Sequence, residues 1–245
     1  MNKALSATLV LICIHLTCLD SNFAQSTSKT NNPSADYSTE LFFNSAIKQQ
    51  SRLYNGAAFY DYPTVVEGSA NFQDLNTFST GTVVYQDFRF ENVPLMYDIY
   101  QDKLISVLGK YNKYSLVSEK VSDFYLNDHH FKYIKVIDTT ISVIRPGFYD
   151  LIHDGKSKIY VRRTKNMQFS LQNKVVTYYF VPKTSYYIER DQKYSTINGE
   201  KSFLSFFKDK KPELKKLLKE KKIKFRKQPD EAMVLLASYY ESLTN

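Results

Sequence analysis

The sequence predicts a mainly β protein, arranged as an antiparallel meander, sandwich or partly open barrel, with a helical C-terminal tail. Three observations indicate this class. The 245-residue chain carries 20 Tyr and 17 Phe, which suit the half-buried face of a pleated strand. Strand candidates within residues 36–197 follow one another with no clear helix between them after one N-terminal helix, as antiparallel sheets do. In residues 198–245 the apolar spacing changes to that of helices.

The N-terminus predicts export. One lysine precedes a short apolar run over residues 9–14, which is typical of a secretory signal peptide and too short to span a bilayer. Cleavage after Ala24 makes residues 1–24 the signal and leaves residues 25–35, rich in Ser, Thr and Asn, as a flexible leader. We therefore expect a periplasmic or secreted protein. A lipoprotein anchored at Cys18 is the alternative reading.

After the leader, the sequence predicts a helix and, further on, a strand whose apolar positions change from one face to the other. The spacing predicts a helix over residues 36–54, which an Asn-Gly turn signal ends. Phe90 and Val93 are apolar positions of opposite phase in the strand candidate that follows. This shift predicts a turn or bulge near Glu91-Asn92, because one extra residue returns the next apolar side chain to the same face.

Two strand pairs are predicted further along the chain. Asp154-Gly155 lies between two strand candidates and favours a tight hairpin, because Gly accepts a positive φ without steric cost. Residues 175–181 are apolar on both faces, which predicts a central strand. Residues 184–189 are its expected partner, reached through Pro182.

Three helices are predicted in residues 198–245, and we expect them to pack on the β domain or to form a small satellite. The first covers residues 200–207. Asp209 is the expected cap of the second, with Pro212 in its first turn. Pro229 begins the third, whose carboxylates in the first turn favour the helix dipole. Its predicted buried face is Met233, Leu236, Ala237, Tyr240 and Leu243.

Four short blocks carry a resemblance to other proteins. They are Leu53-Tyr54-Asn55-Gly56, Val93-Pro94-Leu95-Met96-Tyr97-Asp98, Gly147-Phe148-Tyr149-Asp150-Leu151, and Phe225-Arg226-Lys227 ahead of the Pro229 helix. In these blocks the chain resembles uncharacterised exported β-rich proteins of Bacteroidota-type bacteria. The resemblance implies export and a shared fold, and it implies no activity and no site.

The net charge of +8 belongs to the tail. Twelve of the 33 basic residues but only four of the 25 acidic residues lie between residues 200 and 227, so the rest of the chain is neutral. The candidate surface for an anionic partner is Lys210, Lys211, Lys215, Lys216, Lys219, Lys222, Lys224 and Arg226. A narrow stripe of Leu214, Leu217 and Leu218 runs through this stretch. The pattern fits a solvated helix docked on its own domain, or a surface for anionic lipid or protein. Export makes nucleic acid an unlikely partner.

Catalytic and metal-binding motifs are not found in the sequence. His129 and His130 are neighbours, and adjacent strand residues point to opposite faces, so they are not expected to bind one metal ion together. Asn127-Asp128 beside them fits a turn. Both cysteines precede the predicted cleavage site, so the mature chain has no thiol. Carboxylates available for hydrolysis are Asp98, Asp102, Asp123, Asp150 and Glu189, none distinguished from a turn or strand residue.

These observations favour a non-catalytic secreted or envelope protein that acts by binding or assembly, with no cofactor. Two alternatives stay open. Tyr178-Tyr179-Phe180 and Tyr186-Tyr187 either fill a core or line a β cavity that carries lipid or another apolar ligand. A hydrolase that uses two of the carboxylates is the other alternative.

Overall fold

The structure is a computed structural model that describes residues 52–136, 142–172 and 174–244. The predicted signal, the leader and most of the helix predicted over residues 36–54 lie outside these ranges. Within them, Arg52–Asn55 form a 3-10 turn. Of the described residues, 47% are in strands and 25% in helices, which confirms the mainly β class with helices at the C-terminal end.

One open sheet of twelve strands organises the fold. The strands are β1 (Ala57–Ala58), β2 (Val66–Glu67), β3 (Ser79–Tyr85), β4 (Phe88–Asp98), β5 (Lys103–Leu108), β6 (Asn112–Ser115), β7 (Val121–Leu126), β8 (His129–Ile134), β9 (Gly147–Asp154), β10 (Lys158–Gln172), β11 (Val175–Arg190) and β12 (Lys193–Ile197). The helices are α1 (Glu200–Leu204), continued by a 3-10 turn (Ser205–Lys210), α2 (Lys211–Glu220) and α3 (Pro229–Thr244).

The strand order shows that the sheet is a meander with one return. Neighbours in space are β1-β6-β5-β4-β3-β7-β8-β9-β10-β11-β12, and β2 pairs with β11 in parallel. The chain therefore runs outward from β3 to β6 and then returns to place β7 beside β3. From β7 onward each strand pairs with the next in an antiparallel sense. Of the three predicted arrangements, the meander describes the observed sheet, which is open and is mixed rather than wholly antiparallel because β2 pairs with β11 in parallel.

The predicted bulge in β4 is confirmed. Gly81 faces Val93 and Val83 faces Phe90, so β4 has one more residue than β3 between these two pairs. Asn92 has a φ of 55°, a left-handed conformation that Asn tolerates better than most residues. The bulge places both Phe90 and Val93 in the core, where each is less than 10% exposed.

The core has two main clusters. In the first, the Tyr97 ring contacts those of Phe124, Phe131 and Phe148 at centroid distances of 5.1–5.8 Å. The second lies between the sheet and the tail, where Ile159, Ile188 and Ile197 pack against Phe203, Phe207, Leu214, Met233 and Leu236. The helical tail thus completes the apolar cover of the last three strands.

The prediction of a central strand over residues 175–181 is wrong. Val175–Arg190 is one continuous strand, so residues 184–189 extend the same strand and its partner is β10. Most of the predicted central segment lies at the exposed end of the β10–β11 hairpin, where Val175 is 62% exposed. An apolar sequence on both faces therefore does not reflect burial here.

The hairpin at Asp154-Gly155 is confirmed, but its physical reason differs from the expected one. Lys158 pairs with Asp154 across the turn, and Gly155 does not have a positive φ. A Cβ at this position would lie 2.3 Å from both carboxylate oxygens of Glu241. Glu241 accepts a hydrogen bond from the Ser157 N–H at 3.2 Å. The turn therefore lies against α3, and a larger residue at this position would displace the Glu241 side chain.

The three predicted helices are present, with corrections at two residues. Asp209 does not cap α2, because its N-cap residue is Lys210 and no side chain binds the helix end. The Asp209 carboxylate instead accepts a hydrogen bond from the Tyr240 hydroxyl at 3.3 Å. On α3, Met233, Leu236 and Ala237 are buried as predicted, whereas Leu243 is 40% exposed.

Candidate functional site

The apolar stripe of α2 faces the protein's own core. Leu214 is fully buried, Leu218 is 6% exposed, and Leu217 packs at the edge of the same cluster. These side chains are the ones that an amphipathic helix would otherwise insert into a membrane. Since they are largely covered, the face that α2 presents to solvent is mainly polar and rich in lysine.

Five of the eight predicted cations converge on one open groove, which we name the basic groove. It has a volume of about 690 Å³ and a floor of Leu218, Ile223 and Phe225. The lining cations are Lys215, Lys219, Lys222, Lys224 and Arg226, all exposed, with Glu200 as the single acidic residue. The other three predicted residues, Lys210, Lys211 and Lys216, do not line it.

The end of α2 explains why these cations lie together. The Ile223 N–H donates to the Leu218 carbonyl at 3.0 Å and the Lys222 N–H to the Lys219 carbonyl at 3.1 Å. This is a Schellman motif, in which the residue after the cap is left-handed and usually Gly. Here that residue is Lys222, with a φ of 56°. The turn folds Lys224 and Arg226 back beside the last turn of α2.

The cations of the basic groove are not neutralised by neighbours. Lys210 and Lys216 pair with Glu213 and Glu220 at 3.9 and 3.7 Å, outside the groove. For the five groove cations, no carboxylate of the described ranges lies within the 4.0 Å of an ion pair. A lysine rather than a glycine at the left-handed position costs about 1 kcal/mol. The groove therefore combines uncompensated positive charge with a conformation that stability alone does not favour.

A second groove lies between the sheet and α3, which we name the sheet–helix groove. It has a volume of about 740 Å³, and its apolar lining includes Leu151, Ile152, Val234 and Leu235. His129 and Asp150 line it from the strand side and Asp230 from the helix side. Its size and its mixture of apolar walls with a few polar groups are typical of small-molecule sites.

A chain of ion pairs, which we name the Arg163 network, lies at the side of this groove. The Arg163 guanidinium donates to Asp150 at 2.7 and 3.1 Å and to Asp230 at 2.7 Å. Burial lowers the pKa of Arg163, but the hydrogen bonds and charges of Asp230 and Asp150 raise it by more. Burial and the bond to Asp230 raise the pKa of Tyr186. The network thus joins α3 to three strands.

The histidines lie where the sequence predicts, and each binds a different carboxylate. Asn127 and Asp128 form the turn between β7 and β8, with φ values of 50° and 64°. Beyond it, His129 lies 2.8 Å from Asp150 and His130 lies 2.8 Å from Asp123. The bond to His130 lowers the pKa of Asp123. Within the ranges that the structure describes, no three His, Cys, Asp or Glu side chains are placed to hold a metal ion.

The five carboxylates considered for hydrolysis are each held by hydrogen bonds within the fold. Asp98 accepts from the backbone N–H of Tyr100 at 2.8 Å, and Glu189 from the Tyr160 hydroxyl at 3.0 Å. Asp102 accepts from the Tyr97 hydroxyl at 2.6 Å, and burial raises the pKa of Asp102. Asp123 and Asp150 bind histidines. Of the five, Asp150 alone lines the sheet–helix groove, where Arg163 neutralises it.

No protein-family model, curated protein or solved structure matches the chain. None of the described helices is both long and apolar enough to cross a membrane.

Proposed function

We propose that this is a non-catalytic, exported envelope protein that binds anionic lipid through the basic groove. The observation that carries the proposal is the orientation of the tail: its apolar residues pack inward, while five exposed cations converge without carboxylate partners. The predicted signal peptide supports the expectation of export, and anionic lipid headgroups are available to an exported envelope protein.

The expected attraction is large enough to localise the protein. A basic residue near an anionic membrane contributes about 1 kcal/mol, so five give about 5 kcal/mol at moderate salt. Because the leucine stripe is buried, we expect binding to be mainly electrostatic. It should therefore weaken as salt shortens the screening length.

Charge reversal in the basic groove is expected to abolish lipid binding. The triple variant Lys219→Glu, Lys222→Glu and Lys224→Glu removes about 3 kcal/mol of attraction, which corresponds to at least about 100-fold weaker binding. The measurement is co-sedimentation of the mature protein with vesicles of equal phosphatidylglycerol and phosphatidylcholine, at low and at high salt.

The matched control changes the same charge elsewhere. Lys110→Glu, Lys120→Glu and Lys135→Glu alter three exposed lysines outside the tail. This control should bind within a few-fold of the wild type. Equal losses in the two triple variants would show that net charge matters and the groove does not. Failure of the wild-type protein to sediment with anionic vesicles would refute the proposal.

The sheet–helix groove supports a second candidate, a carrier of an apolar ligand. The sheet is open rather than closed into a hollow barrel, so the place for a ligand is the space under α3. Leu151 and Ile152 on one side face Val234 and Leu235 on the other, enough apolar surface to bind an acyl chain or a ring system.

Native mass spectrometry tests this candidate. Protein purified gently from the envelope fraction is expected to carry an adduct of defined mass, which Leu235→Glu removes by placing a charge in the groove. Leu243→Glu is the matched control, because Leu243 lies on the same helix, is exposed and does not line the groove. A bare protein mass for the wild type, or an adduct that survives in Leu235→Glu, would contradict the carrier.

A further inference from the structure

The end of the β10–β11 hairpin extends beyond its neighbouring strands, and we name residues 166–181 the hairpin arm. β9 pairs with β10 only from Lys158 to Val161, and β2 pairs with β11 only at Tyr178 and Tyr179. The Lys165 N–H donates to the Ile99 carbonyl at 3.2 Å. Beyond that point, within the described ranges, β10 has only β11 beside it.

The two faces of the hairpin arm differ in how many exposed apolar side chains they carry. The register places three apolar pairs on one face, which we name the apolar ladder: Met167 with Phe180, Phe169 with Tyr178, and Leu171 with Val176. Phe169 is 67% exposed and Leu171 is 65% exposed. The opposite face carries the uncharged polar side chains of Gln168, Ser170 and Thr177 together with Val175, Tyr179 and Val181, of which Val175 is 62% exposed. Such an exposed apolar face, concentrated on one short hairpin, is unusual for a protein surface and marks an interaction site.

The charges of the hairpin arm favour an anionic partner. Lys174, in the turn, is the one charged residue between residues 166 and 181 of the sequence. The arm thus offers a cation and no carboxylate. A second copy of the chain would bring another lysine and no compensating charge, whereas an anionic bilayer supplies phosphate beside hydrocarbon.

The apolar ladder lies on the same side of β10 and β11 as the tail. Side chains alternate along a strand, and Ile159, which packs against the tail helices, has the same parity as Phe169 and Leu171. The pairing of β10 with β11 is continuous over this length. The apolar ladder and the tail therefore belong to the same face of these two strands.

We propose that the hairpin arm lies in the headgroup region of an anionic bilayer, with the apolar ladder toward the acyl chains and Ser170 toward water. This inference rests on the proposed function and adds the element that inserts. Tyr and Phe suit this depth, and Lys174 reaches the phosphates along its aliphatic stem. The insertion is shallow, because the outer edge of β10 has unpaired backbone groups that require water.

The absence of Trp from the chain makes a direct test available. In Phe169→Trp, the single tryptophan reports the apolar ladder from a position exposed enough to accept the larger ring. In Ser170→Trp, it reports the opposite face one residue away. With phosphatidylglycerol-containing vesicles, we expect Phe169→Trp emission to shift to shorter wavelength and to be quenched severalfold more strongly by brominated acyl chains than Ser170→Trp emission.

The outcomes separate this inference from the function on which it rests. Vesicles that sediment the protein without quenching Phe169→Trp, or that quench both variants equally, overturn the insertion and leave the basic groove in place. Absence of sedimentation overturns both. Analytical ultracentrifugation of the lipid-free protein gives the third outcome: a dimer that Leu171→Gln dissociates would assign the ladder to a second copy and overturn the bilayer as its partner.

Discussion

Replacement of Arg163 with methionine is expected to lower the free energy of unfolding by about 3–5 kcal/mol. Asp150 is 1% exposed and accepts two hydrogen bonds from this guanidinium. The substitution leaves a buried carboxylate with His129 as its remaining side-chain partner. It also removes the ion pair with Asp230, which keeps only the hydrogen bond from the Tyr186 hydroxyl as its link to the sheet. Urea unfolding followed by far-ultraviolet circular dichroism measures the loss.

Two companion variants distinguish the charge from the packing of the side chain. Arg163→Lys keeps the charge but cannot form the paired bonds, so it should lose less than Arg163→Met. The double variant Arg163→Met with Asp150→Asn removes both charges and should recover much of the loss, because no uncompensated charge stays buried. A loss below 1 kcal/mol for Arg163→Met would show that the network does not hold the tail on the sheet.

The sequence predicts best those elements that are decided by neighbours along the chain. The bulge at Asn92 is visible as a change in the apolar phase, because the period of a strand is strictly two. The start of α3 at Pro229 is likewise local, since Pro fits the first turn of a helix at no hydrogen-bond cost. The same kind of local signal predicts the turn at Asp154-Gly155. The side chain that lies against its glycine, however, is that of Glu241, 86 residues away in the sequence.

Tertiary neighbours decide the features that sequence reasoning missed. The sequence of the hairpin arm predicts a buried strand, because periodicity shows which side chains are apolar and not what covers them. In the structure Val175 is 62% exposed and Leu171 is 65% exposed. Arg163 joins Asp150 and Asp230, which lie 13 and 67 residues away, so no local spacing signals the network. The basic stretch was recognised from its charge, but the set of cations that converges depends on the left-handed turn at Lys222.

We expect the helical tail to detach from the sheet when the Phe203 ring is removed. Phe203 is fully buried, with its ring 5.1 Å from that of Phe207 and 5.7 Å from that of Phe225. Phe203→Ala is expected to cost about 3–5 kcal/mol, since the lost contacts and the resulting cavity add. The first core cluster contains no tail residue, so we expect the tail to open before the rest of the sheet.

Limited trypsin digestion reads out this opening, because twelve basic residues lie between residues 200 and 227. In Phe203→Ala, cleavage should concentrate in residues 198–245 while a fragment containing the first core cluster persists. Phe206→Ala is the control, because that ring is only partly buried beside the same cluster and its loss should cost about 1 kcal/mol. Simultaneous digestion of the whole chain in Phe203→Ala would instead mean that tail and sheet unfold as one unit. In that case the basic groove is as stable as the fold that carries it, and lipid binding would be lost only on global unfolding.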